Sequence, residues 1–447
     1  MDTILNKNIT AESINSLNRE CENARQTDIA RAMEICYRAI SAAKAVGYNS
    51  GLAKAYLNAG ICSRLSSDFE AAIEYFSLSL AIYRQTGDLT GESRTLNSIA
   101  NAYLNSGNFT AAIQNFDDCV FLLESIGDTA FEATVLSNRG LAHQQKGDYD
   151  YALKNYIQSL SLHISHKKQI PYYLYNNIGI VYLEIGNYEA ALKYFFSALK
   201  SEEHEGKIIE ASYTTANIGR TYQYMGDYTN AITYLSEASI IMNKFGDIQG
   251  ESQVFSNLGK TYMKMKCFPE AMKYMNRALK YYNGIKDKSS VAHTLCETGE
   301  LYFEMNDFSS ARKYFNECLE MATEIDDELN ETRSYLGMAK LYSKFLDLEK
   351  TQEYLDMAEK LADKRNSLKD LSRIYNLGHE SYLSAGKTEE AKLYLNKYRK
   401  CLDSLLSLEE DNCIKTFTEF NNFDIEIKSE NLVNAYKTTS YLSTKVA

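Results

Sequence analysis

Several features that mark other kinds of protein are scarce or missing in this chain of 447 residues. It has no tryptophan and only two prolines, Pro171 and Pro269. A β-rich protein of this length needs many prolines in its turns and edge strands, so their scarcity favours helices. No run of 18 apolar residues occurs, so no transmembrane helix is expected. The N-terminal segment, Met1 to Thr10, lacks the basic-then-apolar layout of a signal peptide, and the expected location is the cytoplasm.

Positive charge is also in deficit. Lys and Arg total 48 against 59 Asp and Glu, which gives a net charge of −11. Because nucleic acids attract positive surfaces, this balance disfavours a nucleic-acid partner. The nine cysteines are scattered and form no CxxC pair. Such thiols suit a reducing compartment, and we expect Cys62, Cys119 and Cys318 to be small hydrophobic core residues rather than reactive groups.

The chain does contain a clear internal repeat. A turn such as Gly147-Asp148-Tyr149 is followed three residues later by a small residue, here Ala152. Ten turns of this kind recur at a constant step of forty positions, except for one step that is shorter by a single position. Their small residues are Ala32, Ala72, Ala112, Ala152, Ala191, Ala231, Ala271, Ala311, Thr351 and Ala391.

Large residues keep the same step and show what each repeat is. Offsets of three, four and seven positions place the marked residues on one face of a helix. Each repeat is therefore predicted to be two helices, A and B, with Gly ending helix A and Asp beginning helix B. A large residue four positions after each small one is expected to fill the gap opposite a Gly on helix A. These large residues are Phe76, Phe116, Tyr156, Phe195, Leu235, Met275, Phe315, Leu355 and Leu395.

The pattern resembles the tetratricopeptide repeat. In the repeat from Asn257-Leu258-Gly259 through Tyr262, Ala271 and Met275, each small and large position is filled as in that family. The forty-residue period is similar to the long-helix variant of Pins/LGN-type scaffolds and bacterial signalling proteins. The resemblance implies an all-α, right-handed α-solenoid of about ten hairpins, continuous over residues 1–409, whose A helices line a concave face.

The C-terminal end is similar to the segment that closes the repeat array in bacterial sensor proteins. That segment includes 398–406 and 414–428, and in those sensors it leads into an output domain. The stretch that follows Lys428 here, up to Ala447, is too short for such a domain. The segment 410–447 is therefore predicted to be a capping helix, or a linker remnant with a tail. A cap is the simpler interpretation, because open-ended solenoids need one.

The best candidates for a binding site are amides that recur on helix A. In arrays that this one resembles, the position faces the groove, where a row of amides can hold an extended peptide backbone. The alternative, compatible with the first, is that each amide bonds the neighbouring helix and fixes the stacking. The row comprises Asn58, Asn138, Asn177, Asn217 and Asn257.

Charged and aromatic residues extend this candidate groove. Arg220, Lys260 and Lys264 form a basic part suited to an acidic ligand or a C-terminal carboxylate. The alternating signs favour ion pairing between A helices instead, with Lys260 near Glu300, while Arg220 lacks an obvious partner. Tyr173 and Tyr213 are expected to line the same groove, where aromatic residues are frequent hot spots.

Metal and catalytic motifs are weak. His163 and His166 have the spacing of half a metal site, but no further ligand completes it, and an exposed helix surface is the favoured interpretation. His143 replaces a recurrent Tyr and is expected to be a packed core histidine. The chain shows no phosphate-binding Gly loop, nucleophile elbow or HExxH helix. We therefore expect no enzyme activity, no cofactor and no metal.

The function predicted from these observations is a non-enzymatic interaction module that binds a peptide or protein segment in its concave groove. The alternative is a regulatory sensor array that controls a separate output protein, such as a kinase, a cyclase or a peptide-responsive regulator. Regulators of the last kind carry an N-terminal output domain, whereas residues 1–46 fit a first repeat. No nucleic-acid or membrane partner is expected, and a homo-oligomer is left open.

Overall fold

The protein is described here by a computed structural model that covers residues 9–166, 169–365 and 367–407. This part of the chain consists of twenty α-helices and contains no strand. Each odd-numbered helix, A, packs against the even-numbered helix, B, that follows it. The prediction of an all-α stack of about ten hairpins is therefore confirmed. Within the described ranges, no helix is both long and apolar enough to cross a membrane.

The chain divides into two compact units, and the N-terminal unit spans residues 1–170. Its helices form four hairpins, stacked so that each B helix packs on the next A helix. They are α1 (Ala11–Ala24), α2 (Ile29–Val46), α3 (Asn49–Leu65), α4 (Phe69–Thr86), α5 (Leu89–Asn105), α6 (Phe109–Ile126), α7 (Thr129–Lys146) and α8 (Tyr149–Ser165).

The C-terminal unit spans residues 171–447 and contains six hairpins within its described part. They are formed by α9 (Tyr172–Ile185), α10 (Tyr188–Glu205), α11 (Ile208–Met225), α12 (Tyr228–Phe245), α13 (Ile248–Lys264), α14 (Phe268–Gly284), α15 (Lys288–Glu304), α16 (Phe308–Glu324), α17 (Glu328–Lys344), α18 (Leu348–Lys364), α19 (Leu368–Ser384) and α20 (Thr388–Ser407). The predicted capping helix lies in 410–447, outside the described residues. A single continuous array over 1–409 stays a prediction.

The turns between helices follow the predicted chemistry. At the end of α7, Gly147 adopts a left-handed conformation with φ 90°, which lets the chain turn towards the next helix without a Cβ clash. Asp residues cap the helices that follow such turns, as Asp88 does by accepting a hydrogen bond from the backbone N–H of Gly91 at 2.9 Å. Some late turns use the same left-handed conformation without Gly, and Leu346 has φ 59°.

The core is built from the recurrent small and large residues. A Cβ on Gly140 would lie 2.8 Å from the Tyr156 ring, and a Cβ on Gly299 would lie 2.7 Å from the Phe315 ring. These ring positions are fully or almost fully buried. In these hairpins the large residue of helix B therefore occupies the space that a missing side chain leaves on helix A, as predicted, and any larger residue there would overpack the core. In the last hairpin Tyr394, rather than the predicted Leu395, packs against Gly378.

The recurrent tyrosines of helix A stack on tyrosines of helix B. The Tyr182 and Tyr194 ring centroids are 5.5 Å apart, and those of Tyr302 and Tyr314 are 5.2 Å apart with an angle of 9° between planes. Four further pairs repeat this contact at the same sequence separation, which explains part of the high tyrosine content. They are Tyr222–Tyr234, Tyr262–Tyr274, Tyr342–Tyr354 and Tyr382–Tyr394.

His143, the exception in this series, is half-buried and stacks on Tyr151 with ring centroids 5.2 Å apart. Its Nδ1 lies 3.4 Å from a carboxylate oxygen of Asp148. Burial lowers the pKa of His143 and outweighs the opposing effect of Asp148. The residue is a packed, hydrogen-bonded histidine, as the sequence predicts.

Candidate functional site

The A helices of the N-terminal unit enclose a groove with a volume of about 550 Å³. Its walls come from α1, α3, α5 and α7, so four successive repeats contribute to one continuous surface. Apolar side chains such as Leu57 and Phe131 line the groove together with amides and charged residues. The mixture provides area for burial and fixed polar groups for orientation, which is typical of ligand sites.

Two amides of the predicted asparagine row belong to this unit, and both bond the preceding A helix. The Nδ2 of Asn58 donates to the backbone and side-chain oxygens of Asn18 at 3.3 and 3.4 Å. The Nδ2 of Asn138 donates to Oδ1 of Asn97 at 3.2 Å. Asn58 is 1% exposed, whereas Asn138 and Asn97 are half-buried. The Nδ2 groups of Asn58 and Asn138 therefore fix the stacking of neighbouring A helices, as the alternative interpretation states. Asn97, which accepts one of these bonds, lies in the groove wall.

Cations in the same groove differ in how they are neutralised. Lys54 pairs with Glu22 at 2.6 Å. Arg25 donates to Oδ1 of Asn58 at 3.4 Å. Arg94 is exposed, and neither it nor Arg25 forms an ion pair with a described residue. The groove thus presents two guanidinium groups without a carboxylate partner in the described ranges, and sequence reasoning missed both of them.

In the C-terminal unit, the asparagine row is used in part for stacking. The Nδ2 of Asn217 donates to Oδ1 of Asn176 at 3.2 Å. The backbone carbonyl of Asn257 accepts a hydrogen bond from Gln223 at 2.9 Å. Asn177 and Asn257 are half-buried, and no side-chain hydrogen bond joins either of them to a described residue. Their amides are therefore the members of the row with donors and acceptors left over.

Arg220 does have a partner, contrary to the expectation from its charge row. Its Nη2 bonds Oε1 of Glu184 at 2.7 Å, and its guanidinium lies 5.8 Å from the Tyr224 ring centroid. The other oxygen of Glu184 bonds Lys369 at 2.5 Å. Burial opposes ionisation of Glu184, but Lys369 and Arg220 outweigh it and hold its pKa below the usual range.

This cluster also shows how the C-terminal unit curves. Glu184 lies at the end of α9 and Lys369 at the start of α19, so the first and sixth A helices of the unit meet through their side chains. Such a contact requires the A helices to lie on the inside of the curve. The expectation that A helices form the concave side is therefore met within this unit.

Lys260 pairs with a different residue from the one expected. Its partner is Glu297 rather than Glu300, and Nε2 of His293 lies 2.7 Å from the same Glu297 oxygen. Lys340 and Glu304 also pair at less than the full repeat step, 36 positions apart, whereas the shorter amides of Asn97 and Asn138 meet 41 positions apart. The offset therefore belongs to the long charged side chains, which reach along the neighbouring helix. Burial acts to raise the pKa of Glu297, but His293 and Lys260 outweigh it and lower this pKa to about 2.

The remaining predicted residues are accessible. Lys264 is exposed and forms no ion pair with a described residue. Tyr173 and Tyr213 have 40% and 38% of their surface exposed. Tyr173 contacts Tyr172 edge to face at 5.9 Å. Burial, followed by a hydrogen bond to Asp247, raises the pKa of Tyr213 to about 12. The structure therefore joins Arg220 and Lys260 to carboxylates and leaves Lys264 and the two tyrosines open to a ligand.

A second depression lies on the N-terminal unit, outside the A-helix groove. It has a volume of about 460 Å³ and involves helices α6, α7 and α8. Arg139 spans it by bonding Asp117 at 2.6 Å and Oδ1 of Asn155 at 2.5 Å. Phe121, on its edge, is 75% exposed. Because the only cation in its lining, Arg139, is already paired with Asp117, this depression offers less to an acidic ligand than the groove does.

Stacked helical hairpins with an exposed A-helix groove define a helical-repeat protein. One family model described as "Tetratricopeptide repeat" matches residues 51–125, 91–165, 131–201 and 250–324, and another of the same description matches 216–239. These matches cover more than half of the chain, so the chain belongs to the tetratricopeptide repeat family. No curated protein matches the chain.

Solved structures of similar fold include RapI in its apo form, with a TM-score of 0.55 and 12% identity over 88% of this chain and 99% of that one. The Rap conjugation gene regulator of plasmid pLS20, in complex with the Phr* peptide, has a TM-score of 0.52 and 14% identity, and the match covers 89% of this chain and 97% of that one. The apo form of the quorum sensor NprR from B. thuringiensis has a TM-score of 0.50 and 18% identity, and the match covers 76% of this chain and 99% of that one. At these identities the likeness shows the fold alone.

Proposed function

We propose that the chain is a non-enzymatic interaction module that binds an extended peptide or protein segment along the A-helix groove of its N-terminal unit. The observation that carries the proposal is the groove of about 550 Å³, to which four successive repeats contribute apolar, amide and cationic side chains. An extended segment matches such a surface because its backbone offers a donor and an acceptor at each residue.

The charges of the groove indicate the chemistry of the ligand. Arg25 and Arg94 have no carboxylate partner in the described residues, whereas Lys54 is already paired with Glu22. Guanidinium groups bind carboxylates through paired hydrogen bonds. The ligand is therefore an acidic segment, with a side-chain or C-terminal carboxylate directed at Arg94.

Proteins of similar fold support the class of ligand. The structure of the pLS20 Rap regulator holds the Phr* peptide, and NprR is described as a quorum sensor. The identities of 14% and 18% carry no residue-level correspondence. The two structures support peptide binding by a stack of helical hairpins as a class of function. The preference for an acidic peptide rests on the groove of this chain alone.

The experiment is a titration of the full chain with fluorescent extended peptides that share a length and differ only in charge: acidic, neutral and basic. Acidic peptides should bind most tightly, and Arg94→Ala should weaken them roughly tenfold, since a charged hydrogen bond is worth about 1.4 kcal/mol or more. Arg38→Ala, which removes an exposed arginine from α2, is the matched control and should leave binding unchanged. Equal affinity for all three peptides would contradict the proposal.

The second candidate is a sensor array that controls a separate output protein. The observation that favours it is the contact between Glu184 and Lys369, which joins the first and sixth A helices of the C-terminal unit by one ion pair. A ligand carboxylate that binds Lys369 would compete with Glu184 and change the curvature. X-ray scattering of the free and peptide-bound protein tests this, and identical profiles would remove the sensor mechanism.

A further inference from the structure

Three cysteines that are far apart in sequence meet in the core of the first two repeats. Cys21 lies on α1, Cys36 on α2 and Cys62 on α3. Their sulfur atoms all lie within 4.8 Å of one another, and the sulfurs of Cys21 and Cys36 are 2.9 Å apart. Each of the three residues is 0% exposed. No carboxylate or imidazole of a described residue joins the cluster.

The position of Cys36 shows that this is more than a small core residue. It lies four residues after Ala32, the slot that holds a large side chain in the following repeats, such as Phe76 and Phe116. Phe76 packs its ring where a Cβ on Gly60 would lie 2.5 Å away. The first repeat instead places a thiol in this slot and directs two more thiols at it.

The donor set decides which ligand would fit. Thiolates bind soft metal ions, while Mg²⁺ and Ca²⁺ need oxygen ligands that this cluster does not have in the described residues. With metal–sulfur bonds of about 2.3 Å, three sulfurs in a trigonal arrangement lie about 4 Å apart. The three sulfurs here all lie within 4.8 Å of one another, and the 2.9 Å between Cys21 and Cys36 would lengthen by about 1 Å when the ion binds. Zn²⁺ prefers four ligands, whereas Cu⁺ accepts three, and complete burial leaves no space for a fourth ligand from solvent.

We propose that Cys21, Cys36 and Cys62 form a three-thiolate site for one thiophilic metal ion, Cu⁺ being the best match. As the metal–sulfur bonds form, the thiol protons leave to solvent. No electron transfer is involved, because the ion enters as Cu⁺.

The site would also connect to the groove. Cys62 lies one helical turn after Asn58, and Cys21 lies one turn before Arg25, and both Asn58 and Arg25 line the groove. A metal ion bound to α1, α2 and α3 would hold these side chains in place. The metal site stands independently of the proposed peptide binding, because its ligands are buried and do not line the groove.

The test is a titration of the reduced, full-length chain with Cu⁺ under anaerobic conditions, followed by native mass spectrometry and by ultraviolet thiolate-to-metal charge-transfer absorbance. One ion per chain should bind, and Cys36→Ala and Cys62→Ala should each lower the affinity at least tenfold while circular dichroism stays unchanged. Cys119→Ala removes another fully buried thiol of the same unit and should bind Cu⁺ as the original chain does.

Three results would overturn the proposal. The first is Cu⁺ uptake that is equal in the original chain and in the Cys36→Ala and Cys62→Ala variants. The second is no uptake by the reduced chain. The third is Zn²⁺ binding that persists against equimolar Cu⁺, which would show that a fourth ligand completes the site.

Discussion

The two units use their A-helix faces differently, although they share one repeat. In the N-terminal unit, neighbouring A helices bond through amides such as Asn138 and Asn97, and Arg94 keeps its charge free of any described carboxylate. In the C-terminal unit, Arg220 and Lys260 are tied to carboxylates. An internal ion pair neutralises the charge that a ligand would need. Under the proposed function, the first face serves recognition, although its Lys54 is also paired with Glu22, and the second face serves stability.

Buried carboxylates sharpen this comparison. Among the described residues, every buried Asp or Glu lies in the C-terminal unit: Glu202, Glu251, Glu297 and Asp370. Buried carboxylates make stability depend on pH whenever their pKa differs from that of the unfolded chain. We therefore expect pH to act on the C-terminal unit far more than on the N-terminal unit.

The largest expected effect comes from Glu202. It is 1% exposed, and its Oε2 has no hydrogen-bond partner among the described residues. Burial, helped by Glu210, Glu203 and Glu205, raises its pKa to about 7 against the bond from Thr214. A raised pKa in the folded state means that stability is full below the unfolded pKa and falls as pH rises through about 7.

Between the unfolded pKa of Glu202 and its folded pKa, the free energy of unfolding should fall by on the order of 3 kcal/mol. Glu202→Gln should remove this dependence on pH. Urea unfolding of both chains across this pH range measures the difference. Glu297 provides the contrast, because its pKa is lowered to about 2, so its contribution is present at neutral pH and disappears only as pH falls through about 2. Parallel pH profiles for the original chain and Glu202→Gln would disprove the assignment.

The next largest effect distinguishes Arg220, which is expected to serve stability, from Arg94, which is expected to serve peptide binding. Arg220→Ala should destabilise the C-terminal unit by roughly 1–2 kcal/mol, since it removes a charged hydrogen bond from half-buried Glu184. The affinity for the acidic peptide should stay within twofold. Arg94→Ala should do the reverse, with unfolding unchanged and affinity reduced. If both variants changed the same quantity, the division of roles between the two faces would fail.

A smaller effect tests the asparagine row. Asn138→Ala should cost about 1 kcal/mol, because it leaves Oδ1 of Asn97 without its donor. Asn177→Ala should change stability by less than about 0.5 kcal/mol, since its amide bonds no described residue. Thermal unfolding compares the two variants directly. Equal destabilisation would mean that Asn177 also serves stacking.

The smallest effect concerns the turns. The N-terminal unit places Gly at most of its left-handed positions, while several late turns of the C-terminal unit use other residues, such as Leu346. Leu346→Gly should stabilise by up to about 1 kcal/mol, because the left-handed conformation strains a residue with a Cβ. The opposite change, Gly147→Leu, should destabilise by a similar amount. Calorimetry of the two variants should show melting temperatures that move in opposite directions.

The repeat itself was predictable from sequence because local rules produce it. The forty-residue step, the Gly-Asp turns and the small and large positions identified ten hairpins and the residues that form their cores. These features depend on helix periodicity, capping and the volume of neighbouring side chains, all of which act within one repeat.

The partners of the groove residues were less predictable, because they depend on how repeats stack. The reach of the lysine side chain along the neighbouring A helix takes Lys260 to Glu297 instead of Glu300. The curvature of the C-terminal unit supplies Arg220 with Glu184 and brings in Lys369 from a distant part of the sequence. Neither the reach of these side chains nor the curvature of the stack is encoded in the spacing of a single repeat.

The sequence by itself determined the kind of element, the number of hairpins and the residues that separate one helix from the next. Only the tertiary structure decided which charges neutralise each other, which cations remain for a ligand, and that Cys21, Cys36 and Cys62 meet at one point. The physical reason is range. Helix formation and turn chemistry depend on a few neighbouring residues, whereas ion pairs and thiol clusters depend on the accumulated geometry of many packed helices.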